Sequence, residues 1–535
     1  MRPLKRRDFL KAAGLGAAVF VSPLRSITVA KKKPNIVLIL ADDMGFSDLG
    51  CYGSEIHTPN LNALAAGGLR FTQFYNAARC CPTRASLNTG LYPHQAGVGR
   101  MVADLGFPGY RGFLNDRSIT IAEALKQAGY ATYMSGKWHL GEDPRHWPVK
   151  RGFDRYFGLL SGACSYWELL PGRKMAFDDQ PWRPDPDDKS FYMTDTFTDH
   201  AIDFLDQHKN KQKPFFLYLA YTAPHWPLHA WPEDIAKYRG KYMIGWDELR
   251  RRRHKRMIEL GIVEAKWPLS PRHEKVPPWD SVKDKDTQDL RMAVYAAMID
   301  RMDQNIGRVV AKLKKMKQFD NTLILFLSDN GACHVMVNRG KQGIPPGPKG
   351  GFWGYDYPWA NASNTPLRMF KQFAHEGGIS TPLIVHWPDV IKNKNALTHQ
   401  PGHIIDIMAT CLDVAGIRYP KKFKGKKLIP LEGKSLLPIF KGGERKPHDV
   451  LYWEHVGNRA VRREDWKLVS TKNSDWSLYN LKEDRTELHD LFDQYPQKAK
   501  ELLALYEKWT KKCGVLPFSV IEKRRKSLRS KKKIG

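Results

Sequence analysis

Cysteine is scarce in this 535-residue chain: seven residues, at 51, 80, 81, 164, 333, 411 and 513. None falls in a CxxC pair, so neither a zinc site nor a disulfide framework is legible. No internal repeat is present beyond one shared pattern of strand endings, described below. The apolar run at residues 12–21 is too short to span a bilayer as a helix. No recognised nucleic-acid reader motif occurs, which weakens the obvious reading of the charge. Acids are the minority, 56 Asp and Glu against 86 Lys and Arg, for a formal net charge of +30. Six of the basic residues and one acid lie in residues 1–30, and eight more basic residues lie in 523–533, which leaves +17 on the body. A body of that sign favours an anionic substrate.

With 42% hydrophobic residues the chain is not disordered, and its length suits one large domain with a smaller one. Arg6-Arg7-Asp8-Phe9-Leu10-Lys11 followed by the short apolar run reads as a twin-arginine export signal over 1–30, which implies a periplasmic or extracellular destination and no stable membrane span. The run Arg250-Arg251-Arg252-Arg253-His254-Lys255-Arg256 is flanked by helical sequence and reads as the solvated face of a helix.

Two distant segments share one pattern. Asn35-Ile36-Val37-Leu38-Ile39-Leu40 runs into Asp42-Asp43, and Thr322-Leu323-Ile324-Leu325-Phe326-Leu327 runs into Asp329-Asn330. Continuous apolar runs of this length suit strands covered on both faces. In α/β folds the carboxyl ends of such strands form the ligand crevice. Four oxygen-bearing residues delivered there suit a hard divalent cation, Ca²⁺ or Mg²⁺. A strand is expected over 214–220, helices over 118–129, 293–317 and 499–512, and short strands over 450–454, 460–463, 466–470 and 476–480. The last four indicate a small antiparallel sheet.

Cys80-Cys81-Pro82-Thr83-Arg84-Ala85-Ser86-Leu87-Asn88-Thr89-Gly90 places a nucleophile precursor at a predicted helix N-terminus, where backbone N–H groups and the dipole favour an anion. Arg84 follows one turn later, with a planar fork suited to sulfate or phosphate oxygens. Lys137 and His139 stand two apart, so an extended segment turns both to one side. A cation and an imidazole aimed together suit an oxyanion and a proton transfer. His225 lies between Pro224 and Trp226-Pro227, just beyond a strand.

The string Cys-x-Pro-x-Arg followed by Leu-x-Thr-Gly resembles the first signature of the type I, formylglycine-dependent sulfatases of the alkaline phosphatase superfamily. Thr83 keeps the hydroxyl of the commoner Ser, and Leu91 stands where many members carry Arg. Gly129-Tyr130-x-Thr132 with Gly136-Lys137-Trp138-His139-Leu140-Gly141 resembles the second signature. Gly245-Trp246-Asp247, Leu269-Ser270-Pro271-Arg272 and Tyr295-Ala296-Ala297-Met298-Ile299-Asp300 resemble the bacterial arylsulfatase branch.

The resemblance implies a large mixed sheet flanked by helices, with a smaller C-terminal antiparallel-sheet subdomain. The implied division is a catalytic domain at 33–445, the small-sheet subdomain at 446–515 and a basic tail at 516–535. It further implies oxidation of Cys80 to Cα-formylglycine by a formylglycine-generating enzyme. Calcium is implied on Asp42, Asp43, Asp329 and Asn330, with the modified Cys80 completing the shell. Lys137 and Lys371 become sulfate-binding residues, with Arg84, His139 and His225 catalytic beside Cys80. His334 and His375, near Lys371, are read as structural. The implied reaction is hydrolysis of aryl sulfates or O-sulfated carbohydrates. The alternatives are a phosphonate monoester or phosphodiester hydrolase of the same superfamily, and a non-catalytic polyanion-binding protein on this scaffold.

Overall fold

The computed structural model describes residues 32–209, 211–472 and 474–534, so the expected export signal at 1–30 lies outside the described residues. Seventeen strands occur among them. The main sheet contains β1 (Asn35–Ala41), β2 (Leu69–Tyr75), β3 (Ala131–Gly136), β4 (Arg155–Leu159), β5 (Met175–Phe177), β6 (Gln180–Trp182), β7 (Phe215–Ala220), β8 (Thr322–Ser328), β9 (Ser380–His386), β10 (Ala396–Thr398) and β11 (Gly402–His403). Its order is β10-β2-β9-β8-β1-β7-β3-β4-β5-β6, with β11 also on β2. The centre, β8-β1-β7-β3-β4, is parallel, and β9 runs antiparallel to both β8 and β2.

β1 shows why the central strands read as unbroken apolar runs. Val37 and Ile39 join one core, with Leu61, Phe197 and Met298, while Ile36, Leu38 and Leu40 join the other, with Leu87, Ile121 and Met408. Helices Pro59–Ala66, Met193–His208 and Lys285–Lys315 therefore cover one face, and Cys80–Thr89, Ile121–Gln127 and Asp406–Val414 the other. Burial on both faces leaves no polar side to alternate with.

A ribbon of β12 (Lys422–Phe423) and β13 (Lys426–Lys427) precedes a second sheet, β14 (Leu451–His455), β15 (Asn458–Arg463), β16 (Trp466–Ser470) and β17 (Ser477–Asn480), antiparallel throughout. Helix Pro496–Cys513 packs on it through Leu502, Tyr506 and Trp509. Residues 34–535 cluster as one compact unit.

Two expected helices differ in their bounds. The helix expected from residue 293 begins at Lys285, capped by Asp284, whose side chain accepts from the Thr287 N–H. Its first two turns are polar and show no apolar spacing, so periodicity missed them. The helix expected over 118–129 spans Ile121–Gln127, because Thr120 and Glu123 close a capping box that fixes its start. The basic tail contains a helix, Phe518–Ile534, seated on Leu105 and Tyr110 through Ile521, with Arg524 Nε donating to Leu105 O. The arginine run lies on helix Gly245–Glu259 as expected, yet it is not wholly solvated. Arg253 is buried and paired with Asp48 at 2.6 Å and Glu55 at 2.8 Å.

Candidate active site

The carboxyl ends of β8, β1, β7 and β3 lie side by side, so the residues following them meet. In-register pairing of Ala41 with Ser328 sets Asp42-Asp43 beside Asp329-Asn330. The turn is tied down locally. Asp43 N–H donates to Asp329 Oδ1, Met44 N–H to Ser328 Oγ, and Asp329 N–H to Ala41 O. Asp43 sits at φ 68°, a left-handed conformation that Asp tolerates better than most residues.

Lys137 and His139 arrive from the end of β3, but not on an extended segment. The strand stops at Gly136 (φ 117°), where a β-carbon would fall 1.9 Å from Ala220 O, and His139 itself has φ 56°. A turn, not strand alternation, brings the two side chains together, while Trp138 is buried in the core. Gly162 lets the His139 ring in, since a β-carbon there would fall 2.5 Å from Nε2. Helix Cys80–Thr89 starts at Cys80 and ends at Gly90, φ 67°, so Cys80 lies at its positive end.

Three cation–carboxylate pairs make up the cluster. Arg84 donates to Asp329 Oδ2 from Nη2 at 2.8 Å and from Nε at 3.1 Å, and Nη1 donates to Lys137 O. Lys137 Nζ meets Asp42 Oδ2 at 2.5 Å, and Lys371 Nζ meets Asp43 Oδ1 at 2.5 Å. His225 Nδ1 donates to Trp226 O at 2.6 Å, which leaves Nε2 facing Asp43 Oδ2 at 3.3 Å. The donor atoms of Cys80, Cys81 and His139 all lie within 4.8 Å of one another. All ten residues singled out from the sequence come together here, each at most 6% exposed.

The electrostatics follow from burial and pairing. The neighbouring Cys81 thiol, then Lys137, His139 and Lys371, hold Cys80 well below the usual thiol range against the cost of burial. Burial alone would raise Asp43, but His225 and Lys371 hold it below the carboxylate range. Burial and the Asp42 carboxylate push Asp329 well up, against Arg84. Burial also lowers both His139 and His225. Asp42 Oδ1, Asp43 Oδ2 and Asn330 Oδ1 are buried with no hydrogen-bond partner. Orphaned oxygens from three neighbouring residues form a donor set that fits a hard cation.

Tyr295, singled out only within a longer string, proves structural to the site. Its hydroxyl donates to Asp48 Oδ2 at 2.7 Å and approaches Asp43 O at 3.4 Å. Sequence reasoning missed Ser328, whose Oγ donates to Asn330 O; the hydroxyl at the strand end was its only signal. His334 is boxed by Tyr357, Phe370 and Phe373. His375 is the N-cap of the short helix Glu376–Ile379.

An α/β sheet with a buried cation–carboxylate cluster at its strand ends, facing a polarised side chain on a helix N-terminus, defines an alkaline-phosphatase-like hydrolase of anionic esters. The sulfatase family model matches residues 34–417, and the C-terminal model of N-sulphoglucosamine sulphohydrolase matches residues 368–512. An uncharacterised sulfatase of Schizosaccharomyces pombe is 37% identical, covering 91% of this chain and 95% of its own length. An arylsulfatase of Klebsiella aerogenes is 36% identical, covering 76% of this chain and 92% of its own. A crystal structure of Ps i-CgsB in complex with k-i-k-neocarrahexaose superposes with TM-score 0.68 at 28% identity, covering 90% of this chain and 93% of that one. The chain belongs to the sulfatase family and is a sulfuric ester hydrolase. Among the described residues no helix is long and apolar enough to cross a membrane.

Proposed function

We propose that this protein is an exported, calcium-dependent sulfatase that cleaves aryl sulfates or O-sulfated carbohydrates through a Cα-formylglycine at position 80. The observation that carries the reading is Cys80, at a helix N-terminus beside His139, electrostatically held by Lys137 and Lys371. The relatives support the substrate class, being an arylsulfatase and, at 29% identity in Canis lupus familiaris, an N-acetylgalactosamine-6-sulfatase. The Arg6-Arg7 signal supports export, and the matured side chain calls for a formylglycine-generating enzyme.

Once matured, residue 80 would supply a hydrated aldehyde as the oxygen nucleophile; Asp42, Asp43, Asp329 and Asn330 would hold calcium, which would supply positive charge to the site. The chain's own residues do the rest. Lys137 and Lys371 hold the sulfate oxygens, and Arg84 keeps Asp329 oriented while adding charge to the nucleophile's surroundings. As an imidazolium, with its Nδ1–H committed to Trp226 O, His225 gives its Nε2 proton to the departing alcohol. His139, beside residue 80, accepts the proton that must leave its side chain for sulfate to be released. We assign this chemistry to a catalytic domain at 33–445, with 446–515 as the accessory subdomain.

Initial rates on an aryl sulfate, an aryl phosphodiester and a panel of sulfated glycans, measured on one preparation, test the reading. Sulfate esters are expected to turn over fastest. Faster turnover of the phosphodiester moves the protein to the phosphonate monoester and phosphodiester hydrolases.

A further inference from the structure

Every cation in the cluster is tied to a carboxylate: Arg84 to Asp329, Lys137 to Asp42, Lys371 to Asp43. Arg79, immediately before Cys80, is not. It is the N-cap of helix Cys80–Thr89 and half-buried. Nε and Nη1 are buried with no hydrogen-bond partner, and among the described residues Arg79 forms no ion pair. A desolvated guanidinium without a partner is costly, and it suits a carboxylate or sulfate supplied from outside.

Its surroundings come from three parts of the chain. Gln372 N–H donates to Ala78 O, which lays the Lys371 segment against the residue before Arg79. Trp453 Nε1 donates to Asn76 O, which brings the end of β14, with His455, to the same segment. His334 and His455 are 8% and 2% exposed, and each has a buried Nδ1 without a partner. The Arg79 charge reaches both rings: after burial it is the largest cause holding His334 at about 3 and His455 well below the imidazole range.

We propose that Arg79, flanked by His334 and His455, is a second anion subsite, and that the preferred substrate is a sulfated sugar carrying another anionic group close to the scissile ester. This rests on the sulfatase reading above and narrows it. The neutral imidazoles can donate to the second anion without adding charge, and Arg79 holds it by charge-assisted bonds. The second anion can be a sulfate or a uronate carboxylate, since both present oxygens to the same fork.

The test uses the calcium-loaded, formylglycine-bearing protein and three matched disaccharides: one with a single sulfate, one with a second sulfate on the same ring, and one with a neighbouring uronate. One of the two-anion substrates is expected to exceed the monosulfate in kcat/KM by roughly tenfold or more, mainly through KM; which one identifies the second anion. In Arg79→Gln that ratio should fall towards one, and Arg79→Lys should keep part of it. Equal kcat/KM of wild-type protein on all three overturns the subsite, and that result needs no variant to fold. So does an Arg79→Gln protein that loses the same factor on every substrate. An aryl sulfate run alongside separates the two claims: no turnover of it or of any of the three disaccharides, with residue 80 converted, removes the sulfatase reading and the subsite with it.

Discussion

At the scale of single residues, pairing decides what each substitution does. Asp42 carries an orphaned oxygen and Asp329 holds Arg84, so Asp42→Ala or Asp329→Ala removes a proposed cation ligand and also strands Lys137 or Arg84. Bound calcium, measured by elemental analysis, should fall with turnover, the latter by on the order of a hundredfold or more. Normal turnover by chelated protein free of divalent ions contradicts the metal assignment. His225 should matter in proportion to leaving-group basicity. His225→Ala is expected to cost roughly a hundredfold or more on a sulfated sugar, and far less on nitrophenyl sulfate, whose alcohol leaves without help. An equal loss on both substrates reduces His225 to a binding role. His139→Ala should give a burst of released alcohol followed by slow turnover, because only the later proton transfer is impaired.

At the scale of elements, the small sheet is held to the large one by buried charge. Lys467 on β16 reaches Glu376 at 2.9 Å and Glu487 at 2.8 Å, and Tyr75 on β2 donates to the same Glu376 at 3.0 Å. Glu376 begins the short helix that follows the Lys371 loop. Lys467→Met leaves Glu487 without its cation and Glu376 with Arg485 alone, and should lower stability by about 3–5 kcal/mol. It should also raise KM by loosening the segment that carries Lys371; an unchanged melting midpoint contradicts this. Arg253→Ala, which strands Asp48 beneath helix Gly245–Glu259, belongs to the same class and should cost about 3–5 kcal/mol in a denaturant titration. That partnership was not legible in the sequence. A helix face shows which residues align with one another, not which carboxylate waits beneath them. β1 and β8 were legible because burial on both faces leaves an unbroken apolar run, and the polar first turns of Lys285–Lys315 were not because they carry no such pattern.

At the scale of the whole molecule, buried histidines set the acid limit. His229 and His403 are buried, and desolvation lowers them from the ordinary 6.5 to about 4 and about 3. Their folded values lie below the unfolded one, so the unfolded chain takes up the protons first. Stability is full above about pH 6.5 and falls as pH drops towards the folded values, by about 2 kcal/mol for each ring at pH 5. Melting midpoints should fall steadily from pH 7 to pH 5; a flat profile contradicts the burial of neutral rings. The site was legible at the same scale wherever a motif ends a strand or opens a helix, as at Asp42, Asp329, Cys80 and Lys137. Arg79 and His455 were not, because only the closed fold brings the β14–β15 hairpin to the start of helix Cys80–Thr89.

The central claim is that residue 80 acts after its thiol has become an aldehyde. Peptide mass analysis across Cys80 and Cys81, on protein produced with and without a formylglycine-generating enzyme, tests it most directly when paired with the rate on an aryl sulfate. Conversion should show sulfur replaced by oxygen with the loss of two hydrogens at residue 80 only, Cys81 intact, and a rate proportional to the converted fraction. Full activity from protein whose Cys80 is entirely unmodified thiol would contradict it.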